Sequence, residues 1–316
     1  MVSTMQETMA RQPEDLRRLG QDTARVDEFA ATLTGLRRVL VVGTGTSWHT
    51  AHQGAWFLQR AGVDARAMQS ADFATDGPDL GQEDGVIGLT HTGAKRYTGE
   101  ALDRARASGA VTLTVSAIGV TGADLETVER ETSSAYTASH LGALYRMAQL
   151  AVALGADLGD LDAVADTVST ALAEGHPEID APERLVEFIG GGINQWTAAE
   201  AALKCRETAY VATEGHALEQ FLHGPSVALH SSDTLVCFDG GGPWTTRLTE
   251  ISDAARQSGV TVKVLSAQGL GEPLSVFPLT VAAQRIALGL AEALGTNPDS
   301  FGRDVPGREA WKQVPL

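Results

Sequence analysis

The sequence predicts an α/β protein made of two similar domains, each a parallel sheet covered by helices on both faces. Short apolar runs alternate with longer helical stretches along the 316 residues, and this alternation is typical of parallel sheets with helical crossovers. Two segments also recur at nearly one spacing, and the length suits about two domains. We expect the first domain, with helices near its start, at residues 1–160 and the second at residues 161–316.

The predicted core strands are short apolar runs rich in β-branched residues. Between the two sets of strands, glycine, proline and aspartate residues at 155–182 predict the joint of the domains. From Gly295 onward the chain is too rich in glycine and proline for a regular element, so we expect an irregular tail that is either a mobile lid or a loose end. The predicted strands are residues 39–42, 86–89, 111–115, 185–189, 234–238 and 260–265.

An internal repeat supports the two-domain prediction. Gly43 closes an apolar run and begins a glycine-containing turn, and Gly190 does the same 147 residues later. The segments 106–109 and 256–259, which lead into later strands, are 150 residues apart and share Arg, Ser and Gly. Two pairs at nearly one spacing, each at a strand boundary, indicate two copies of one α/β unit.

Charge and cysteine content disfavour several classes of function. The 24 Lys and Arg residues against 40 Asp and Glu residues give a net charge of −16, which disfavours binding to nucleic acid or to an anionic membrane. Cys205 and Cys237 cannot form a disulfide framework, and no spacing resembles a zinc site. The polar residues 1–18 do not resemble a signal peptide, and no run of about 18 apolar residues occurs. We therefore expect a cytoplasmic protein whose partner is neither a nucleic acid nor a membrane.

The turn after the first core strand is a candidate anion-binding loop. Gly43 and Gly45 allow a ligand to approach the backbone closely. The hydroxyls of Thr46 and Ser47 and the N-terminus of the following helix supply hydrogen-bond donors. Trp48 stands where a dinucleotide-binding turn has its third glycine, and the Gly-Lys-Ser/Thr of a P-loop does not follow. The alternative is a turn with a purely structural role.

A second hydroxyl-rich loop follows the next core strand. Thr90, His91 and Thr92 lead into Gly93, and Lys95 comes soon after. Because the carboxyl ends of parallel strands line one crevice, we expect this loop and the first to converge there. Several hydroxyls beside a lysine indicate a phosphate cradle, and the alternative is a capped helix start.

A helix with three charged residues on one face is the richest segment. Glu200, Lys204 and Glu207 are spaced at i, i+4 and i+7, so they share a face. One interpretation is an exposed Glu–Lys pair of little energetic consequence. The small apolar residues between them favour a buried helix, in which a carboxylate without a function is costly.

The remaining candidates are histidines. His223 stands before a Gly-Pro pair, which ends a helix and leaves the histidine at a loop edge. The alternative at this position is a structural histidine. His49 and His52 lie one helical turn apart without an evident carboxylate partner, so we expect neither a metal site nor a cofactor.

Together these segments resemble the double SIS (sugar isomerase) domain family, in particular the isomerase domain of glucosamine-6-phosphate synthase without its glutaminase domain. The resemblance implies two tandem SIS domains of three-layer αβα (flavodoxin-like) architecture, with an irregular C-terminal tail over the active site. The family's Gly-Cys-Gly-Thr-Ser turn, Ser-Gln-Ser-Gly-Glu-Thr loop, Glu-Gly-Ala-Leu-Lys-Leu-Lys-Glu helix, Lys-His-Gly-Pro motif and Leu-Ala-Lys-Ser-Val tail are similar to residues 43–47, 90–95, 200–207, 222–225 and 310–314.

The sequence departs from the family at several of these positions. Thr44 replaces the cysteine of the first turn, and His91 and Lys95 replace glutamine and threonine in the second loop. No cysteine precedes Cys205, so the resemblance does not extend to the glutaminase nucleophile. We therefore expect free ammonia, rather than glutamine nitrogen, to take part in the reaction.

The resemblance implies a role for each candidate residue. Glu207 is the proton shuttle between C1 and C2 of an open-chain sugar phosphate, and His223 is the acid/base that opens the ring. Lys312 holds the open chain, as a Schiff base with the ketose or by positioning it, and Lys204 assists this network. The phosphate is bound by Ser47, Thr90, His91, Thr92 and Lys95, with Gly43, Gly45, Thr46 and Glu200 in support.

The function implied by the resemblance is an aldose–ketose isomerase acting on amino-sugar phosphates, of the glucosamine-6-phosphate deaminase type, using or releasing free ammonia. One alternative is a deglycase of fructosamine (ketosamine) phosphates, which space around His216 and the tail would favour. The other is a sugar-phosphate sensor without catalysis. The resemblance also implies a homodimer in which His223 acts within its own subunit or across the interface.

Overall fold

The computed structural model describes residues 3–175, 177, 179–267 and 269–314, which fall into two compact units. The N-terminal unit comprises Arg11–Glu131 and Ala138–Asp162. The C-terminal unit comprises the described residues of Met1–Ala10, Thr132–Thr137 and Ala163–Pro315. Each unit contains one parallel sheet.

The start of the chain belongs to the C-terminal unit, whereas the sequence analysis assigned residues 1–160 to the first domain. The reason is apolar burial, since Met5 and Met9 are buried in one cluster with Ala135 and Leu288, and Leu172 packs against it. Two methionines four residues apart on a helix form one apolar stripe, and this stripe packs on the C-terminal unit.

The N-terminal unit alternates strands and helices, as the apolar pattern predicts. Its sheet has the order β2-β1-β3-β4-β5, and every pairing is parallel. Helix α1 begins in residues of the C-terminal unit and continues here. The elements are α1 (Thr4–Gln21), α2 (Ala24–Leu33), β1 (Arg38–Gly43), α3 (Thr46–Arg60), β2 (Ala65–Gln69), α4 (Ser70–Asp76), β3 (Asp84–Leu89), α5 (Arg96–Ala107), β4 (Val111–Ser116), β5 (Leu125–Glu126) and α6 (Ala138–Ala153).

The C-terminal unit repeats this alternation. Its sheet has the order β7-β6-β8-β9, again parallel throughout, so β6 and β8 correspond to β1 and β3. Two 3₁₀ helices cover Pro225–Ala228 and Trp311–Gln313. The other elements are α7 (Val164–Ala173), β6 (Val186–Gly190), α8 (Asn194–Thr208), β7 (Thr213–Ala217), α9 (Leu218–Leu222), β8 (Thr234–Asp239), α10 (Thr245–Gln257), β9 (Thr261–Ser266) and α11 (Gly271–Leu294).

Alternate residues of the central strands face different helix layers. In the N-terminal unit, Leu40 and Val42 pack with residues of α4 and α5, while α3 and α6 cover the opposite face. In the C-terminal unit, Val186 and Phe188 pack with α8 and α11, whereas Ile189 faces α9 and α10. Both sheets are therefore covered by helices on both faces, and the predicted α/β fold class is confirmed.

The strands that the sequence did not predict lie at the sides of the sheets. Strands β2 (Ala-Arg-Ala-Met-Gln) and β7 (Thr-Glu-Gly-His-Ala) carry polar residues and are partly exposed, and β5 is only two residues long. An edge strand pairs on one side only, so it does not need a continuous apolar run. The apolar runs that the sequence did identify form the strands β1, β3, β6 and β8, together with β4 and β9.

One described helix, α11, is 24 residues long and contains an 18-residue window with a mean hydropathy of 1.5, so it qualifies by length and composition for crossing a membrane. It contains polar residues such as Gln284 and Arg285, so no run of purely apolar residues flags it in the sequence. In the structure 89% of that window is buried within the C-terminal unit, as in a core helix.

Cys205 and Cys237 are also buried, both as free thiols.

Candidate functional site

The turn at the end of β1 has the geometry of an open loop before a helix. A Cβ atom on Gly43 would overlap the backbone carbonyl of Ser47, so the close approach of these two segments requires glycine. Gly45 has φ +61° and ψ −130°, a conformation favourable only for glycine, and α3 begins directly after it. Thr46 is buried and Ser47 is partly exposed.

The second predicted phosphate loop lies at the same end of the sheet. β1 and β3 are adjacent and in register, with Val42 opposite Gly88, so the turns that follow them are neighbours. The Thr90 hydroxyl accepts the Gly93 N–H at 3.2 Å, and Lys95 caps the N-terminus of α5 without a side-chain capping bond. Thr92 and Lys95 are partly exposed, whereas Thr90 is buried. The structure thus brings the two predicted phosphate loops together within the N-terminal unit.

His91 occupies a different environment from its neighbours. Its side chain is 9% exposed, and its Nε2 accepts the backbone N–H of Glu131 at 2.9 Å. Burial lowers the pKa of His91 below its ordinary value. Glu131 in turn accepts the N–H of Ser139 at the start of α6, at 2.8 Å. A neutral imidazole with this bond fixes the loop, and it does not offer a cationic donor to a phosphate at Nε2.

The charged helix face predicted from the sequence is buried in the C-terminal unit. Helix α8 places Ala198, Ala201 and Cys205 against the sheet and α11. On the same helix, Lys204 Nζ contacts Glu200 Oε1 at 3.4 Å and Glu207 Oε2 within hydrogen-bond distance. These three residues are the ones that the i, i+4, i+7 spacing placed on one face.

Burial and charge make this triad unlike a surface ion pair. The side chains of Glu200 and Lys204 are 0% and 1% exposed, and that of Glu207 is 12% exposed. Burial lowers the pKa of Lys204, but the two neighbouring carboxylates raise it more, and the net shift is upward. The neighbouring carboxylates therefore favour the cationic form of Lys204, which suits it to positioning the Glu207 carboxylate.

His223 lies where the Gly-Pro pair predicted. It follows the last residue of α9, and Gly224 and Pro225 redirect the chain into a 3₁₀ helix. Its side chain is 70% exposed, and its Nε2 lies 3.9 Å from Glu219 Oε1. This histidine is accessible from solvent.

The structure brings together a polar cluster that the sequence analysis missed. His216 Nε2 on β7 lies 2.8 Å from Glu187 Oε2 on β6 and 3.4 Å from Glu214 Oε2. The Glu187 carboxylate raises the pKa of His216 against the opposing effect of burial. The signal in the sequence was the alternation Glu214-Gly215-His216, which puts both side chains on one face of a strand.

The two histidines considered for metal binding are arranged differently. The ring of His52 packs edge-on against Trp48, at 4.1 Å between centroids. Burial, and to a smaller degree the charge of His49, lowers the pKa of His52 to about 4.

Lys312 lies within the last 3₁₀ helix, and its side chain lies outside the described residues, so its predicted role stays a prediction.

Comparison with known families identifies the N-terminal unit. The SIS domain model matches residues 32–148, which run from the end of α2 through all five strands and into α6. Residues 32–148 form a SIS domain. Both predicted phosphate loops lie in this SIS domain, whereas α8 and His223 lie in the C-terminal unit.

Curated relatives extend over most of the chain. The glutamine–fructose-6-phosphate aminotransferase (isomerizing) of Gloeobacter violaceus is 26% identical over 268 residues, covering 76% of this chain and 44% of that protein. The enzyme of the same name from Pyrococcus horikoshii is 26% identical over 310 residues, covering 86% of this chain and 52% of that protein. The chain therefore spans about half the length of the curated relatives it matches.

Solved structures share the fold over nearly the whole chain. Glucosamine-6-phosphate deaminase from Thermotoga maritima superposes with a TM-score of 0.76 at 20% identity, covering 94% of this chain and 97% of that one. Tagatose-6-phosphate ketose/aldose isomerase from Escherichia coli superposes with a TM-score of 0.82 at 19% identity, covering 94% and 95%. At these identities the similarity establishes the architecture, including that of the C-terminal unit.

Proposed function

We propose that the protein is a phosphosugar isomerase with two SIS domains that acts on amino-sugar phosphates in the manner of a glucosamine-6-phosphate deaminase, releasing or using free ammonia. The buried Glu200–Lys204–Glu207 triad carries this proposal. Burying three ionised groups on one helix face costs solvation energy. A purely structural ion pair would need only one of the two carboxylates beside Lys204.

A second SIS domain in the C-terminal unit is supported by topology. Strands β7-β6-β8-β9 follow the same order as β2-β1-β3-β4. A Cβ on Gly190 would overlap the carbonyl of Asn194, just as one on Gly43 would overlap that of Ser47. The same close contact between strand end and helix start is a feature that duplication preserves.

The triad supplies a proton shuttle. Aldose–ketose conversion moves a proton between C1 and C2, and a single carboxylate beside both carbons takes and returns it. Glu207 is the triad member nearest to solvent, and the Lys204 cation fixes one of its oxygens. Lys204 thereby positions the carboxylate, whose ionised form accepts a proton.

Phosphate binding is assigned to the SIS domain at residues 32–148. Ser47 and Thr92 are partly exposed hydroxyls beside helix N-termini, where partial positive charge favours an anion. Lys95 adds a full positive charge at the start of α5. Thr90 and His91 are buried and shape the loop from behind.

We assign ring opening to His223 and propose that the functional unit is a homodimer. An exposed histidine at a loop edge is accessible to a substrate held by its own subunit or by a second one. Mixing two inactive variants, Glu207→Gln and His223→Ala, distinguishes these cases. Recovery of activity in the mixture is expected only if the histidine acts across the interface.

The decisive experiment measures ammonia release from glucosamine 6-phosphate by purified protein. We expect turnover, and we expect Glu207→Gln to lower kcat by about 10²- to 10⁴-fold, because the amide cannot accept the proton. Glu250→Gln, a matched change on the exposed face of α10, is expected to leave kcat unchanged. Absence of turnover on any hexosamine 6-phosphate would reject the proposal.

The same protein preparations separate the alternatives. Release of an amine from a fructosamine 6-phosphate conjugate, without action on glucosamine 6-phosphate, would identify a deglycase. Thermal stabilisation by sugar phosphates without any turnover would identify a sensor. The triad disfavours the sensor, because binding alone does not require a lysine-held carboxylate.

A further inference from the structure

We propose that Glu187, Glu214 and His216 form a binding site for a divalent metal ion of the Zn²⁺ type. The cluster lies on strands β6 and β7 of the C-terminal unit. The proposal departs from the expectation of a metal-free protein, and it does not depend on the proposed function.

The strand register brings the three side chains to one face of the sheet. Glu187 pairs with Glu214, and Ile189 pairs with His216, in the parallel ladder between β6 and β7. Because side chains alternate along a strand, Glu214 and His216 point to the same face. Along β6, Glu187 and Phe188 lie on opposite faces. The face that carries Glu187 packs against α9 and α10.

The separations of the ligand atoms suit one small cation. One potential ligand atom from each residue lies within 4.8 Å of the others. His216 Nε2 lies 2.8 Å from Glu187 Oε2 and 3.4 Å from Glu214 Oε2. A tetrahedral zinc ion with bonds of about 2.0–2.2 Å places its ligand atoms about 3.3 Å apart. Small side-chain adjustments therefore admit the ion.

Burial supplies an independent argument. Glu187 is 3% exposed, and its Oε2 makes no hydrogen bond within the described part of the protein. Its 2.8 Å contact with His216 Nε2 meets the distance of an ion pair but not the alignment of a hydrogen bond. A buried carboxylate oxygen left in this state is costly, and it is directed at the other two ligands.

The charge of the cluster favours a dication. Two carboxylates carry −2, and a protonated His216 offsets only one of these charges. The guanidinium of Arg184 interacts electrostatically with Glu187, but it already donates hydrogen bonds to both carboxylate oxygens of Asp233. A divalent cation neutralises the cluster and replaces the proton on the histidine.

The donor set selects among metals. A set of one imidazole nitrogen and two carboxylates suits Zn²⁺ better than Mg²⁺ or Ca²⁺, which prefer oxygen ligands alone. Three protein ligands leave a fourth position for water. The bound ion would tie β7 to β6 just before α9, the helix that His223 follows.

Calorimetric titration of the chelator-treated, full-length protein with Zn²⁺ alone tests the proposal. We expect one ion per chain and a rise in Tm on binding. His216→Ala is expected to weaken binding by at least about 10-fold, the smallest loss typical of changes around a metal site. His230→Ala, a change at an exposed histidine of the same unit, is expected to leave affinity unchanged.

Glu214→Gln provides a second variant, because the Glu214 side chain is 56% exposed and the change keeps its shape. It is expected to weaken binding in parallel with His216→Ala. Equal zinc affinity in the wild type and both variants would overturn the proposal, as would binding by the wild type no tighter than millimolar. Neither measurement involves a sugar, so the outcome is separate from that of the activity assay.

Discussion

The two strand–turn–helix loops that follow β1 and β6 share a backbone and differ in what lies over it. Gly43 and Gly190 make the same close approach to a carbonyl four residues ahead. Around Gly45 there is open space where a Cβ would be. Around Gly192, its counterpart, a Cβ would meet the Glu272 carboxylate and the Trp244 ring.

The difference lies in the charge that each loop meets at the start of its helix. A helix N-terminus favours a negative charge, and the C-terminal loop receives one from the protein's own Glu272. The loop before α3 has no carboxylate within 4 Å of that position among the described residues, which is consistent with the proposed binding of a phosphate there. The same backbone is thus filled in one copy and open in the other.

The largest effect is expected from adding one methyl group at the shared contact. Gly43→Ala and Gly190→Ala each push a Cβ into a backbone carbonyl that cannot rotate away. We expect each variant to lose about 3 kcal/mol or more of unfolding free energy, and the two losses to be similar. Denaturant unfolding of the three proteins measures this.

Gly99→Ala is the matched control, because a Cβ there meets nothing within 4 Å and the residue lies inside α5. It is expected to be neutral or stabilising by up to about 1 kcal/mol. A large loss for Gly43→Ala with none for Gly190→Ala would contradict the structural equivalence of the two loops.

A smaller effect is expected at a second duplicated feature, a buried aspartate at the opposite end of each sheet. Asp84 is 0% exposed and is held by Arg37 at 2.7 Å and Arg38 at 3.0 Å. Asp233 is 1% exposed and is held by Arg184. Burial alone would raise the pKa of each carboxyl, but the arginines and backbone N–H donors lower both on balance.

The lowered pKa values fix the sign of the pH dependence. Each pair stabilises the fold fully above the unfolded-state pKa, about 3.9, and this contribution is lost as the pH falls through the folded-state pKa. We expect Asp84→Asn to cost about 1–2 kcal/mol at pH 7 and to flatten the acid limb of stability. Chemical denaturation from pH 7 to 3 measures both, and an unchanged slope would contradict the assignment.

The central fold was predictable because its strands are apolar on both faces. Strands β1, β3, β6 and β8 are buried throughout or nearly so, and continuous apolar runs report such burial directly. The edge strands β2 and β7 were missed because each pairs with one neighbouring strand only, so their residues can be polar and partly face solvent. Local sequence does not encode which strands pair at an edge.

The candidate site was predictable where helical spacing determines proximity. Glu200, Lys204 and Glu207 lie on one helix, so their contact follows from 3.6 residues per turn. The contact of His91 with Glu131 and that of His216 with Glu187 join distant segments. Such contacts depend on strand order and loop path, which the sequence pattern does not specify.

The smallest effect is expected in affinity for the ligand, where the open loop and the filled loop should differ. Lys95 stands at the open end of the sheet in the SIS domain, and its charge has no counterpart in the glycine-rich turn after β8. We expect Lys95→Ala to weaken glucosamine 6-phosphate binding about 10-fold, because one charge-assisted contact to phosphate is lost. Lys263→Ala on β9 removes an equal charge from the C-terminal unit and is expected to change affinity less than about twofold. Calorimetric titration of both variants decides the matter, and equal weakening would show that net charge, rather than the open loop, governs phosphate binding.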